Sequence, residues 1–230
     1  MSKVSDLRAR GSWLLSYADL VTLLITFFIM MLALYHTEIS RLQSWANFKM
    51  DQSYLLLAER IDTKGYQYLG AYRSGQGVHI IIFHPEPFEQ GGYELTADLA
   101  NELVDLAQHF KALPMFESLL NHRNGVYRED PILMRAKLAD LSLQADIRVE
   151  GHTDDIPIAA GSRLRNNWVL STLRAQQVMQ SMYGVSNLPA EIFAIAGRAE
   201  FDPLVPHDTP ENRAINRRIE VVLTLYFVRG

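Results

Sequence analysis

The 230-residue sequence contains no cysteine. It therefore cannot form a disulfide framework, use a thiol nucleophile or bind a metal through thiolates. It also lacks a basic excess, because the formal net charge is −4, so no positive field favours nucleic acid as a partner. Internal repeats and low-complexity tracts are absent too, which excludes solenoid and propeller architectures. A chain of this length has room for one domain of ordinary size beside a further segment.

One long apolar run, WLLSYADLVTLLITFFIMMLALY, covers residues 13–35. As a helix it would extend roughly 34 Å, enough to cross the hydrocarbon core of a bilayer with some tilt. It is too long for the apolar part of a cleaved signal peptide, which spans about 7–15 residues. It is also too long and too uniformly apolar for a helix buried in a soluble core. We therefore expect an uncleaved transmembrane helix over residues 12–35.

The residues before this run indicate its orientation. Lys3, Arg8 and Arg10 precede it and are opposed only by Asp6. Because positive residues near a membrane span are retained in the cytoplasm, residues 1–11 are predicted to be a cytoplasmic tail. The whole chain after the run is then expected on the opposite side of the membrane.

Asp19 is the one ionisable residue that the apolar run places at membrane depth. A carboxyl group there costs about 2.5 kcal/mol or more on insertion scales. Such acids face protein or a water-filled path, and they mark ion relays. The sequence therefore predicts an ion-binding role for Asp19. A single helix cannot enclose an ion path, so this role requires a partner in the membrane.

Residues 36–76 follow the apolar run as a helix and a connection. Residues 37–61 carry apolar side chains at every third or fourth position, which predicts an amphipathic helix. Its apolar face could lie on the membrane surface or on a partner, or it could form a stalk or pack on the folded domain, and the pattern does not decide. Residues 62–76 contain three glycines and several polar groups, which predicts a linker. The apolar face consists of Ile39, Leu42, Ala46, Met50, Tyr54, Leu57 and Ile61.

Residues 77–230 alternate between strand and helix patterns. The alternation predicts an α/β sandwich with helices on one face of a mixed sheet. Only residues 113–130 give no clear pattern. Predicted strands cover residues 77–84, where Pro85 and Pro87 would end the strand, and 146–150, 192–196 and 218–228. Predicted helices cover residues 97–110, 131–143 and 167–183.

Three polar motifs lie within this domain: GHTDD at residues 151–155, NNWVLSTLRA at 166–175 and ENRAINRRIEVVL at 211–223. Taken singly, their acids could be turn residues or helix caps and their arginines surface charges. His152 beside Asp154 has no third ligand at helical or hairpin spacing, so we expect no metal site. No second catalytic constellation accompanies the acids, and we do not expect an enzyme.

In their order and spacing, the three motifs resemble the OmpA-like peptidoglycan-binding domain over residues 77–223. The SYADLVTLLITFF stretch, residues 16–28, resembles the transmembrane helix of MotB-type stator subunits. The combination is specific to that family. The resemblance implies a motor subunit of the bacterial inner membrane, with its C-terminal domain, residues 77–230, in the periplasm. It further implies that ion flow is coupled to torque, most commonly for flagellar motility and chemotaxis.

The same resemblance implies roles for particular residues. Asp19 would bind the transported H⁺ or Na⁺, with no other cofactor. Asp154 and Arg174 would hold the zwitterionic end of diaminopimelate in the peptidoglycan stem peptide, and Asn167 and Arg217 would be further ligand-lining positions. The chemistry is consistent, because an arginine fork suits a carboxylate and an aspartate suits the adjacent ammonium.

The partners implied by the resemblance are a ring of MotA-type multi-span subunits, a second copy of the chain and peptidoglycan. The flagellar rotor would be reached through that ring. In MotB-type subunits a segment just after the membrane helix acts as a plug against ion leakage, and the amphipathic helix over residues 37–61 has the corresponding place.

Four departures from the family pattern leave open which machine this subunit belongs to. Val21 and Val169 replace residues common in the family, the stretch over residues 113–146 is longer than usual, and the connection after the membrane helix is short. One alternative is a structural tether between inner membrane and wall without ion flux. Another is a related motor in Zorya-type anti-phage defence. For the site itself, the alternative is that Asp154 and Arg174 only pair with each other to fix a loop.

Overall fold

In a computed structural model, the chain is described over residues 3–83, 88, 92–126, 130–158 and 164–229, with the side chains of residues 3–12 and 35–39 outside the description. The prolines predicted to end the first strand of the domain also lie outside these residues. The chain divides into two compact units, Met1–Ser44 and Trp45–Gly230. The first helix, α1 (Lys3–Lys64), begins in the first unit and ends in the second.

Within the first unit, Trp13–Leu34 is long and apolar enough to cross a membrane, and no other helix among the described residues meets that test. Its apolar side chains are exposed around the whole circumference. A helix that is apolar around most of its circumference needs an apolar environment, as a bilayer provides. The helix already begins at Lys3, so the segment predicted as a tail is helical from that residue onward.

In the second unit, the end of α1 packs into the domain. Ala46, Met50, Leu57 and Ile61 are buried in the hydrophobic core. The amphipathic pattern left open whether this face contacts membrane, partner or domain, and the structure shows that from Ala46 onward it contacts the domain. On the polar side, Asp51 accepts a hydrogen bond from Arg73 Nε at 2.8 Å.

The predicted linker contains a strand. β1 (Leu69–Arg73) pairs antiparallel with β2 (Val78–Ile82), so the linker prediction is wrong for these residues. The reason is that β1 is a five-residue edge strand, too short to show clear alternation among the glycines around it. The sheet therefore begins earlier in the chain than residue 77.

Three further strands complete a five-stranded sheet in the order β1-β2-β5-β3-β4: β3 (Leu141–His152), β4 (Phe193–Ala199) and β5 (Ile219–Arg229). β3 and β4 run parallel, while every other neighbouring pair is antiparallel. The predicted mixed sheet is therefore confirmed. β3 is much longer than the predicted strand over residues 146–150, because its first half pairs with the end of β5.

Helices account for most of the remaining described residues. The stretch that gave no clear pattern contains α3, and the helix predicted to reach Leu143 ends at Leu138, because β3 begins at Leu141. α5 passes through Gly184 and ends at Ser186, and the next residue, Asn187, caps it with a φ of +55°. The helices are α2 (Ala97–Ala107), α3 (Pro114–Arg123), α4 (Pro131–Leu138), α5 (Asn167–Ser186) and α6 (Pro210–Asn216), with 3₁₀ turns at Phe110–Ala112 and Ala190–Ile192.

The hydrophobic core lies between the helices and one face of the sheet. Alternate residues of β5, Ile219, Val221 and Leu223, are buried in the same cluster as apolar residues of α2, α3 and α5. The intervening position Glu220 faces the other side, where it lies directly opposite Glu150 of β3. Period-two alternation therefore separates an apolar face from a polar one.

Replacing Leu57 tests whether the end of α1 belongs to the domain core. Leu57 is 1% exposed, so Leu57→Ala should lower the free energy of unfolding by about 2–5 kcal/mol. Leu55 on the same helix is 64% exposed, and Leu55→Ala should change it by less than about 0.5 kcal/mol. Urea unfolding of the purified chain in detergent measures both. Equal effects would show that this face is not part of the folded core.

Candidate functional site

Asp19 belongs to a polar stripe on an otherwise apolar helix. Ser16, Asp19, Thr22 and Thr26 follow one another at spacings of three or four residues, which places them on one helical face. The Thr22 hydroxyl donates to the Asp19 carbonyl at 2.8 Å, and Thr26 makes the same kind of bond to Leu23 at 2.9 Å. The apolar run predicted a role for the acid but not for the hydroxyl groups, although their spacing is visible in the sequence.

The other predicted site residues meet at one edge of the sheet, where β3 ends and α5 begins. We call Asp154, Asn167, Arg174 and Arg217 the mouth residues. Asp154 is only 8% exposed. Its Oδ2 accepts a hydrogen bond from Arg217 Nη1 at 2.7 Å, and its Oδ1 accepts one from the backbone N–H of Ile156 at 3.2 Å. The carboxylate is therefore held from two sides.

Asn167 fixes the turn that carries Asp154. Its side-chain amide donates to the carbonyls of Asp154 and Ile156, both at 3.2 Å. The preceding residue, Asn166, caps α5 by accepting a hydrogen bond from the backbone N–H of Val169 at 3.0 Å. Asn167 was predicted to line the ligand. In the structure its amide hydrogens position the loop, and its contact with a ligand stays a prediction.

Arg174, on the second turn of α5, is held by the segment before α2. Its Nε and Nη2 donate to the Gly92 carbonyl at 3.1 and 3.0 Å, and its guanidinium carbon lies 4.6 Å from the centre of the Phe88 ring. Burial and, to a smaller extent, the charge of Arg217 together lower the pKa of Arg174 to about 10, although Asp154 opposes the change. The ion pair of Asp154 is thus made with Arg217, and the alternative of an Asp154–Arg174 pair is wrong.

A close approach between α5 and the ends of two strands creates the mouth. A Cβ on Gly151 of β3 would lie 2.1 Å from the Ser171 carbonyl oxygen. A Cβ on Gly197 of β4 would lie 2.2 Å from Thr172 Oγ1. Only glycine leaves room for the helix here. The first turns of α5 consequently lie directly on the strands, and Arg174 is brought to the same edge as Asp154.

A buried charged cluster on the helix-free face of the sheet was not predicted. Glu220 accepts a hydrogen bond from Arg218 Nε at 2.6 Å and contacts His79 Nδ1 at 3.2 Å. Burial raises the pKa of Glu220, but these two partners outweigh it and bring the pKa to about 2. Only long-range pairing assembles this cluster, since His79 and Glu220 are 141 residues apart.

His152 lies between this cluster and the mouth. It is buried, and within the described residues neither ring nitrogen has a hydrogen-bond partner. Burial, assisted by the charge of Arg218, lowers the pKa of His152 to about 4, so the ring is neutral at pH 7. Among the described residues, no group of three His, Asp or Glu side chains could hold a metal ion.

Two protein families match separate parts of the chain. The family described as membrane MotB of the proton-channel complex MotA/MotB matches residues 3–48, which include Asp19. The OmpA family matches residues 133–217, which include all four mouth residues.

Curated relatives match one part of the chain or nearly all of it. Motility protein B of Bacillus subtilis is 37% identical over 78 residues, which is 34% of this chain and 30% of that protein. The chain thus matches less than a third of the length of that relative. The uncharacterized protein YtxE of Bacillus subtilis is 22% identical over 225 residues, covering 94% of this chain and 89% of YtxE.

Solved structures share the fold of the domain. A MotB-like protein from Desulfovibrio vulgaris covers 80% of this chain and 98% of its own, at 23% identity and a TM-score of 0.59. The periplasmic domain of Helicobacter pylori MotB covers 70% and 82%, at 18% identity and a TM-score of 0.51. The cell wall anchor of the T6SS from Pseudomonas aeruginosa covers 74% and 96%, at 22% identity and a TM-score of 0.51.

Replacing Gly151 tests the close approach that forms the mouth. Gly151→Ala should push α5 away from β3 and lower the free energy of unfolding by about 1–3 kcal/mol or more. Gly184 lies in the same helix with open space around it, so Gly184→Ala should stabilise the protein by about 0.5–1 kcal/mol. Thermal unfolding of the purified chain measures whether Gly151→Ala is less stable, and Gly184→Ala more stable, than the wild type. A Gly151→Ala variant as stable as the wild type would contradict the close approach of α5 to β3.

Proposed function

Because the chain belongs to the MotB-type proteins that carry an OmpA-like domain, we propose that it is the wall-anchored subunit of an ion-driven membrane motor. The observation that supports this most is the presence of Asp19 on a membrane-length helix in the same chain as the mouth residues. The proposal puts the helix in the bacterial inner membrane, the N-terminus in the cytoplasm and the OmpA-like domain in the periplasm.

In this proposal Asp19 alternately binds and releases H⁺ or Na⁺. The polar stripe with Thr22 and Thr26 gives the helix one side suited to a protein-lined or hydrated path and leaves the remainder suited to lipid. A ring of MotA-type multi-span subunits would close that path around two copies of the chain. Each ion transfer would then change the fit between helix and ring and drive their relative rotation.

The mouth would anchor the motor to peptidoglycan, with diaminopimelate of the stem peptide as the ligand. Its carboxylate would replace the Gly92 carbonyl at the Arg174 fork, where two N–H donors already point at one oxygen. Its ammonium would lie against Asp154. Arg217, which pairs with Asp154 in the free protein and is partly exposed, would then lie as a second cation beside the ligand carboxylate.

A tether without ion flux is the second candidate, since the T6SS cell wall anchor shares the fold of the domain. A tether has no use for an acid within its membrane helix, and Asp19 therefore favours the motor. A motor in Zorya-type phage defence would use the same parts. Swimming and phage-protection assays of a deletion strain would separate these two purposes.

A plug role would be confined to a short part of α1. The residues from Ala46 to Ile61 contribute to the core of the domain. In the proposed motor, any segment that blocks ion leakage before assembly therefore lies between the membrane helix and Trp45.

Replacing Asp19 tests the ion-coupling step. Asp19→Asn should abolish motility or ion flux, because an amide of nearly the same shape cannot bind and release a proton. Asp19→Glu, which keeps the carboxyl group, should retain part of the activity. The measurement is swimming, or proton uptake by cells that also produce the partner, at equal amounts of protein in the membrane. Full activity of the Asn variant would refute the motor and leave the tether.

Replacing mouth residues tests the wall-binding step in pull-downs of the full chain in detergent with purified peptidoglycan sacculi. Asp154→Ala and Arg174→Ala should each weaken binding about ten- to a hundredfold, through loss of a charge-assisted contact of roughly 1.5–3 kcal/mol. Combining Arg174→Ala with Arg217→Ala should weaken it further, because both cations serve one carboxylate.

Arg123 provides the control, since it pairs with the exposed Glu191 away from the mouth. Arg123→Ala removes the same charge and should leave sacculus binding within about twofold. Mouth variants that keep the wild-type melting temperature and still bind as wild type would remove these residues from the wall site.

A further inference from the structure

An exposed pair of aromatic rings lies next to the mouth. Trp168 of α5 is 48% exposed and Phe201, in the turn after β4, is 67% exposed. Their ring centroids are 5.4 Å apart and the ring planes differ by 25°. Two large rings stacked on each other at the surface keep apolar area in water, and clustered exposed apolar area marks an interaction site. Further exposed apolar residues are Ile156 after β3, Leu204 after β4 and Ile215 of α6.

Both rings are attached to the backbone that builds the mouth. Trp168 directly follows Asn167, whose amide holds the turn of the site. Phe201 is two residues after Ala199, whose carbonyl accepts a hydrogen bond from the backbone N–H of Thr153 at 2.9 Å. Ala199 has a φ of +50°, an uncommon value for a residue other than glycine, and the chain turns there toward Phe201. The pair is therefore positioned by the same contacts as the ligand-binding charges.

We propose that Trp168 and Phe201 form an aromatic platform that binds the pyranose ring of an N-acetylated sugar in the glycan strand of peptidoglycan. This inference rests on the proposed wall-binding function and adds the glycan to its ligand. A pyranose ring presents a face of C–H groups that packs against an aromatic ring and removes apolar surface from water.

The spacing along α5 fits a ligand that contains both sugar and peptide. Trp168 precedes Arg174 by six residues, which is about 9 Å along the helix axis and about 120° around it, so their Cα atoms are about 10 Å apart. Diaminopimelate is the third residue of the stem peptide, and three extended residues span roughly 10 Å from the sugar. A stem whose diaminopimelate reaches Arg174 can therefore place its sugar at the platform.

The charge beside the platform favours a neutral ligand. Asp202, which follows Phe201, is exposed and carries a carboxylate. This carboxylate repels anionic surfaces such as nucleic acid or acidic lipid. It is also a hydrogen-bond acceptor, suited to the hydroxyl and acetamido N–H groups of an uncharged sugar.

The test compares two ligands on the full chain in detergent: a disaccharide–tripeptide ending in diaminopimelate, and the same tripeptide without sugar. Wild-type protein should bind the sugar-bearing ligand roughly three- to tenfold more tightly, the range expected for one aromatic stacking contact. Trp168→Ala and Phe201→Ala should bring this ratio close to one, with the affinity for the free peptide unchanged. Trp168→Phe, which keeps a ring, should preserve the preference for sugar.

Two controls separate the platform from the mouth. Tyr183, an exposed aromatic residue at the other end of α5, provides a matched truncation, and Tyr183→Ala should leave the ratio unchanged. Asp154→Ala should weaken both ligands equally. The sugar platform would be overturned, and wall binding left standing, by either of two results. One is equal affinity of the wild type for the two ligands, and the other is an unchanged preference for sugar in both folded alanine variants. Failure of wild type to bind either ligand would overturn the wall-binding function and the platform together.

Discussion

The close packing of α5 against the ends of β3 and β4 determines where Asp154, Asn167 and Arg174 of the mouth lie. Gly151 and Gly197 leave no side chain between helix and sheet, so the first turns of α5 rest on the strand backbones. Arg174 on the helix and Asp154 after the strand are thereby brought to one edge. A larger residue at either glycine would have to move the helix, and the charges of the site would separate with it.

The charges at this edge are satisfied within the chain before any ligand arrives. Asp154 has Arg217, and Arg174 has the Gly92 carbonyl. A zwitterionic ligand would exchange these partners for its own groups and would not meet bare, fully hydrated ions. Such an exchange lowers the desolvation cost of binding, because the protein groups are already partly removed from water. It also selects for ligands that carry both charges, since a missing charge would leave one protein group unpaired.

Helix α1 meets two different requirements along its length. Trp13–Leu34 is apolar on every side except for the stripe around Asp19. The apolar sides suit lipid, and the stripe suits a protein-lined path. From Ala46 to Ile61 the helix is amphipathic, because one side is buried in the domain and the other is solvated. A change in the pattern of apolar residues thus marks a change in the surroundings of one helix.

The sequence by itself determined the features that depend on neighbours in the chain. These are the membrane-length helix with Asp19, the alternation of strands and helices, and the order of the three motifs. Run length and periodicity are local properties, and they are visible without a structure. Only the tertiary structure decided that Asp154 pairs with Arg217, because those residues are 63 positions apart and four arginines of the motifs competed for the same carboxylate. It likewise decided that the end of α1 packs on the domain and that residues 69–73 are an edge strand, since burial and strand pairing are made by distant parts of the chain.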